Sequence, residues 1–152
     1  MNFFPSLRGA RGSVALLALL AGALTLASCT TVHLIAEYDK KLDDGLMALQ
    51  RKTETFLVKL ERGVETPESA YSRHQDFYDE VKVDLSALKV RADALAANAL
   101  TAGQIELLQD SFQKLEEQHQ RGIKRAMIES LRRSFNSQFT AILKLEIAKK
   151  RE

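Results

Sequence analysis

Apolar residues recur every three or four positions along most of the chain after residue 33, a spacing typical of amphipathic helices. The first such stretch covers about 33–62 and stops at Gly63. A second runs from Thr66 to about Asn98, and a third begins at Thr101. Ala, Leu, Glu, Lys, Arg and Gln dominate and strand-forming runs are few, so the pattern predicts an all-α fold.

Two helix starts stand out in this pattern. Thr66-Pro67-Glu68 offers a capping side chain, a proline suited to the first helical position and an acid at the positive end of the helix dipole. Thr101 and Gln104 have the spacing of a capping box. Because the connections between the three stretches are short, we expect antiparallel packing of neighbouring helices.

Gly122 leaves two architectures open. The apolar stripe of the third stretch changes register near this glycine. Because Ile123-Lys124-Arg125 has neither a capping side chain nor the charge that suits a helix start, we favour one continuous helix here. The predicted fold of 33–152 is therefore an antiparallel bundle of three long helices, the third longest and kinked or broken near Gly122. A four-helix bundle is the alternative.

The three-helix version predicts an apolar overhang. The second helix would be about 48 Å long and the third about 69 Å, so the third would run out of partner near Phe135. A stripe of that size is not stable in water and would have to meet another subunit, a partner protein or a membrane, or fold back. The overhanging apolar residues would be Phe135, Phe139, Ile142, Leu143, Leu145 and Ile147.

The N-terminal segment follows a different pattern. Arg8 and Arg11 precede an uncharged Leu/Ala-rich run, and Leu26-Ala27-Ser28-Cys29 closes it with the only cysteine of the chain. The apolar run is about 15 residues, short of a permanent membrane span. These features predict a secretory signal, and a single cysteine excludes an internal disulfide framework.

The four residues that end in Cys29 resemble the signal of bacterial lipoproteins. The resemblance implies cleavage after Ser28, a diacylglyceryl group on Cys29 and an acyl chain on its new amine, with no other cofactor. The predicted organisation is 1–28 as a cleaved signal, 29–32 as lipidated N-terminus and short tether, and 33–152 as the helical domain. Ordinary secretory cleavage after Ala27 and an uncleaved signal anchor are the alternatives.

Thr30 follows the cysteine, where an aspartate would favour retention at the inner membrane in the enteric members of this class. The resemblance therefore implies the periplasmic face of the outer membrane. The first helix, with Ala48-Leu49-Gln50 and the segment 51–57, is also similar to short helical lipoproteins of proteobacteria to which no activity is attached.

Charge is distributed unevenly in the mature part. The whole chain carries 22 basic and 20 acidic side chains, and removal of 1–28 takes away Arg8 and Arg11 alone. Residues 121–152 then carry an excess of six positive charges, balanced by 29–120. Anionic lipid, lipopolysaccharide, an acidic protein patch or the protein's own acidic part could face this region, whereas nucleic acid is excluded in the periplasm. The predicted interaction surface is Arg121, Lys124, Arg125, Arg132, Arg133, Phe135, Phe139, Ile142 and Leu145.

Catalytic and metal-binding patterns are not found in the sequence. His74 and His119 lie near the apolar seams, but a hairpin turning near residue 101 would separate them by several turns, too far to share a metal. The series Asp76, Glu80 and Asp84 is interpreted as a solvated acidic face. The sequence therefore predicts a non-catalytic, lipid-anchored scaffold or adaptor that self-associates or binds a protein through its C-terminal helix. A module that binds anionic lipid or lipopolysaccharide through the basic helix is the alternative.

Overall fold

A computed structural model describes residues 35–150, and this part of the chain is all-α. The lipoprotein-like signal, Cys29 and Thr30 lie outside the described residues. The described part contains four α-helices: α1 (Lys40–Gly63), α2 (Gln75–Ala94), α3 (Ala99–Arg121) and α4 (Arg125–Lys149).

The favoured three-helix prediction is wrong at Gly122, and the four-helix alternative fits. Gly122 has φ +100° and ψ 130°, a conformation that side chains disfavour, and it ends α3. α4 then starts after Lys124 without a side-chain cap. The missing capping signal misled the prediction, because the burial of an apolar face, rather than a local cap, fixes the start of α4.

Each helix packs against its neighbours in the chain, and α4 closes the ring by packing against α1. Ser111 bonds Gln138 and Thr101 bonds Glu146, so residue numbers rise along α3 as they fall along α4. The described residues therefore form a bundle whose successive helices alternate in direction.

Three of the six apolar residues expected to overhang line the core instead. Phe135 packs on Phe112 of α3 with 4.6 Å between ring centroids, and Phe139 and Ile142 are fully buried. Leu143 and Leu145 are half-buried and Ile147 is exposed. The third stretch folds back, so the premise of the overhang is corrected.

The helix starts also differ from the predicted ones. α1 begins at Lys40, capped by Asp39, whose Oδ1 accepts from the Leu42 N–H at 2.9 Å. Thr66 caps only a 3₁₀ turn, Pro67–Ser69, and α2 begins at Gln75. The predicted capping patterns therefore did not locate the helix starts, since only α1 has a side-chain cap and α2, α3 and α4 begin without one.

The bundle has two ends of different composition. The near end comprises 35–39, 94–100 and 146–150, where the described chain begins and where it ends. The far end comprises 64–74 and 121–125. The chain crosses four times between them.

Candidate functional site

Part of the positive charge of the C-terminal helix is paired with the protein's own acids. Arg132 lies 2.8 Å from Glu54, 2.7 Å from Glu61 and 3.1 Å from Glu129. These carboxylates, with Glu61 first, raise the pKa of Arg132. The sequence left several anionic partners open for this region. For Arg132 the partner is the acidic part of the same chain.

The predicted interaction surface is divided by the fold. Arg121, Lys124 and Arg125 are exposed at the far end, and Arg125 donates to the backbone carbonyl of Glu61 at 3.3 Å. Arg133 is exposed midway, 3.5 Å from Glu129. The apolar members Phe135, Phe139 and Ile142 are in the core, and Leu145 is half-buried. The structure thus separates residues that the sequence grouped.

The far end contains an aromatic cluster built around His119. Its Nδ1 lies 2.8 Å from the Tyr78 hydroxyl, and its Nε2 lies 2.7 Å from the Ser69 carbonyl oxygen. Because a carbonyl only accepts, Nε2 carries the proton and the hydroxyl of Tyr78 donates to Nδ1. Burial lowers the pKa of His119, so the neutral ring holds the 3₁₀ segment against α2 and α3.

His74 is close to His119, which corrects the predicted separation. Their ring centroids are 5.5 Å apart, and the Nε2 of His74 lies 2.9 Å from the Glu68 carbonyl. The turn falls at 95–98 rather than near 101, and His74 lies in the segment before α2. Within 35–150, no group of three or more metal-ligating side chains is found.

A groove of about 420 Å³ separates α2 from α3 beside this cluster. Tyr78, Val81 and Phe112 form part of its apolar floor. At its rim Lys82 lies 2.9 Å from Glu116, which also accepts from the Tyr71 hydroxyl at 2.9 Å. An apolar floor with a paired, charged rim suits an uncharged side chain rather than an ion.

The outer face of α2 carries a second apolar stripe. Val83 and Val90 are 68% and 67% exposed, with Ala87 between them. They lie opposite the stripe that α2 buries, represented by Val81 and Leu85. Apolar side chains at heptad spacing on the solvent side are a feature of helices that contact another molecule.

The near end contains a buried ionic cluster that sequence reasoning missed. The side chains of Glu146 and Lys149 are 0% and 4% exposed and form a short ion pair. Lys149 Nζ also donates to Asn98 at 2.6 Å and Thr101 at 3.0 Å. Glu146 and Lys149 continue the apolar register of Ile142, and polar residues in core register were the signal that could have found them.

The remaining oxygen of Glu146, Oε2, is buried without a hydrogen-bond partner in the described structure. The cluster joins the last turn of α4 to the loop before α3. It therefore fixes both segments, and its buried charges make that junction sensitive to substitution.

Comparisons with protein-family models, curated proteins and solved structures found no match to this chain. Within the described helices, none is both long enough and apolar enough to cross a bilayer.

Proposed function

We propose that this chain is a lipoprotein acylated at Cys29 and held at the periplasmic face of the outer membrane. The observation that carries the proposal is Leu26-Ala27-Ser28-Cys29 at the end of an uncharged run, followed from Lys40 onward by a helical bundle with its own apolar core. Several acyl chains hold a protein firmly at a membrane, without a spanning helix.

The helical domain acts by binding, as a scaffold or adaptor, and not as a catalyst. The exposed stripe of Val83, Ala87 and Val90 and the neighbouring groove between α2 and α3 support a protein partner. The C-terminal helix, whose apolar residues face the core, is the weaker candidate for that surface. The alternative of an anionic-lipid module based on the whole basic helix has less support, because Arg132, Lys149 and Lys150 are paired internally.

Acylation is tested by intact mass and by labelling with a fatty-acid analogue, comparing the full chain with Cys29→Ser. The expected result is a mass increase that Cys29→Ser abolishes. The substitution Thr30→Asp should shift the protein toward the inner-membrane fraction when the membranes are separated. An unmodified Cys29 in the mature chain would contradict the anchor.

The adaptor role is tested with a photo-crosslinking residue at Val83, with exposed Arg51 on α1 as the matched position. We expect a discrete protein adduct from Val83 and none from Arg51. Equal yields at both positions would argue against a specific partner on α2.

A further inference from the structure

The three chain segments of the near end are bonded into one surface. Arg91 binds Asp39 through two hydrogen bonds of 2.8 and 2.6 Å, joining the end of α2 to the segment before α1. Lys150 Nζ lies 4.3 Å from the centre of the Tyr38 ring, joining the end of α4 to the same segment. With the Lys149 bond to Asn98, these contacts hold all three segments together.

One segment of this surface carries no charge. From Ala94 to Ile105 the chain has no charged side chain, although the segment includes a loop. Leu100 is 64% exposed, Ile35 49% and Ile147 46%. Loops in water are normally polar, so an uncharged loop flanked by exposed large apolar residues indicates contact with something apolar.

Some of the acids at and beside the near end are withdrawn from solvent, whereas Asp44, Asp93 and Glu106 are exposed. The side chains of Asp39, Asp43 and Glu146 are 10%, 17% and 0% exposed, and each is paired with a cation. Glu37 is exposed. Against it stand the exposed Lys40, Lys41 and Lys150, two of which begin α1, where the helix dipole disfavours cations. The exposed centre of this surface is therefore apolar, and its border carries both charges, with Lys40 paired to Asp44 and Lys150 to Asp43.

An acyl group on Cys29 would place lipid beside this surface. Six peptide steps separate Cys29 from Ile35, at most about 20 Å of extended chain. We propose that the near end docks on the lipid surface, with Leu100, Ile147 and Ile35 entering the headgroup region and Lys41 facing anionic headgroups. The inference rests on the proposed acylation of Cys29, and the docked bundle stands with its far end away from the lipid.

The test uses the absence of tryptophan from the chain, which gives no background emission. Leu100→Trp reports on the near end. Val83→Trp is the matched control, since Val83 has the same exposure but lies about 17 Å along α2 from Ala94. Each acylated variant is reconstituted into phosphatidylcholine–phosphatidylglycerol vesicles with brominated acyl chains, and circular dichroism checks that both remain helical.

The expected result is a blue shift and loss of about half of the emission for Leu100→Trp, because interfacial side chains reach the acyl boundary, with little change for Val83→Trp. Equal quenching of both variants would show a bundle lying flat on the lipid, and an unquenched Leu100→Trp would show no lipid contact. Either result overturns the inference.

A second arm separates this inference from the anchor. Residues 30–152 contain the whole described core, so they are expected to fold alone. An N-terminal histidine tag replaces Cys29 and tethers this segment to nickel-chelating lipid in the same vesicles. An unacylated Cys29 would contradict the proposed function. The tethered segment would still show whether the near end contacts lipid.

Discussion

The two ends of the bundle solve the same problem of turning the chain in different ways. At the far end, aromatic rings and a neutral histidine hold a polar, charged segment, with Ser69 bound by His119. At the near end, an uncharged loop is fixed from inside by the buried pair of Glu146 and Lys149. The polar segment at the far end is held without a buried charge. The uncharged loop at the near end is held by a buried ion pair.

The largest effect is expected from Lys149→Met, at the near end. Removing one partner leaves Glu146 as an uncompensated buried charge, which costs about 3–5 kcal/mol in the free energy of unfolding. Urea denaturation measures it. The double variant Glu146→Leu/Lys149→Met should recover most of the loss, and Lys40→Met, in an exposed pair with Asp44, should change little. A mild effect of Lys149→Met alone would contradict the buried cluster.

The substitution Gly122→Ala should have the next largest effect on stability, and it tests the far end. Its φ of +100° is a strained conformation for alanine, and no atom lies within 4 Å of the point that a Cβ would occupy, so the cost of about 1–3 kcal/mol comes from the backbone alone. Gly103→Ala is the matched control, because it has the same open space inside α3 and should stabilise by about 0.5–1 kcal/mol. Thermal denaturation should move the two variants in opposite directions.

Asp39→Ala removes both the cap of α1 and the partner of Arg91 at the near end. The expected cost is about 1–2 kcal/mol, with faster amide exchange in the first turn of α1. Thr66→Ala, which removes the longer 3.3 Å cap of the far-end 3₁₀ turn, should cost less. A reversed order would show that the near end is the less tightly held of the two.

The smallest expected effect is a difference between the two ends in how the free energy of unfolding depends on pH. The pKa of His119 is lowered by burial from 6.5, so the unfolded chain binds this proton first and stability falls as pH drops below 6.5, by up to about 1.4 kcal/mol per unit. His119→Gln should flatten the stability profile between pH 7 and 5. The bond from Arg91 lowers the pKa of Asp39, so that contribution persists above 3.8 and is lost only below it. If the free energy of unfolding of His119→Gln fell with pH as steeply as that of the unsubstituted protein, another group would be responsible for the loss of stability.

Helical class and the buried stripe of α2 could be predicted from the sequence. The buried residues follow one another at alternating intervals of three and four: Tyr78, Val81, Leu85, Leu88 and Ala92. Local signals were less reliable at boundaries. Thr66 and Pro67 have the chemistry of a helix start, yet the following residues curl into 3₁₀ turns that bring His74 to Phe56, with 5.4 Å between ring centroids.

The rest depends on contacts between residues distant in the chain. The pairing of Arg132 with Glu54 and Glu61 spans more than 70 residues, and no spacing rule reveals it. Gly122 is similar, since glycine permits a positive φ at many positions, and here the turn lets α4 fold back and bury Phe135 against Phe112. These contacts and this turn depend on the packing of the complete core, and the local sequence does not determine them.

Gly122 also sets the reach of the protein. A continuous third helix would be a rod of about 69 Å, whereas the turn leaves α4, the longest helix described, at about 37 Å. For a chain acylated at Cys29, the described bundle then extends at most about 60 Å from its lipid. A partner must come within that distance, so the backbone of one residue determines how far from that lipid the protein can make contact.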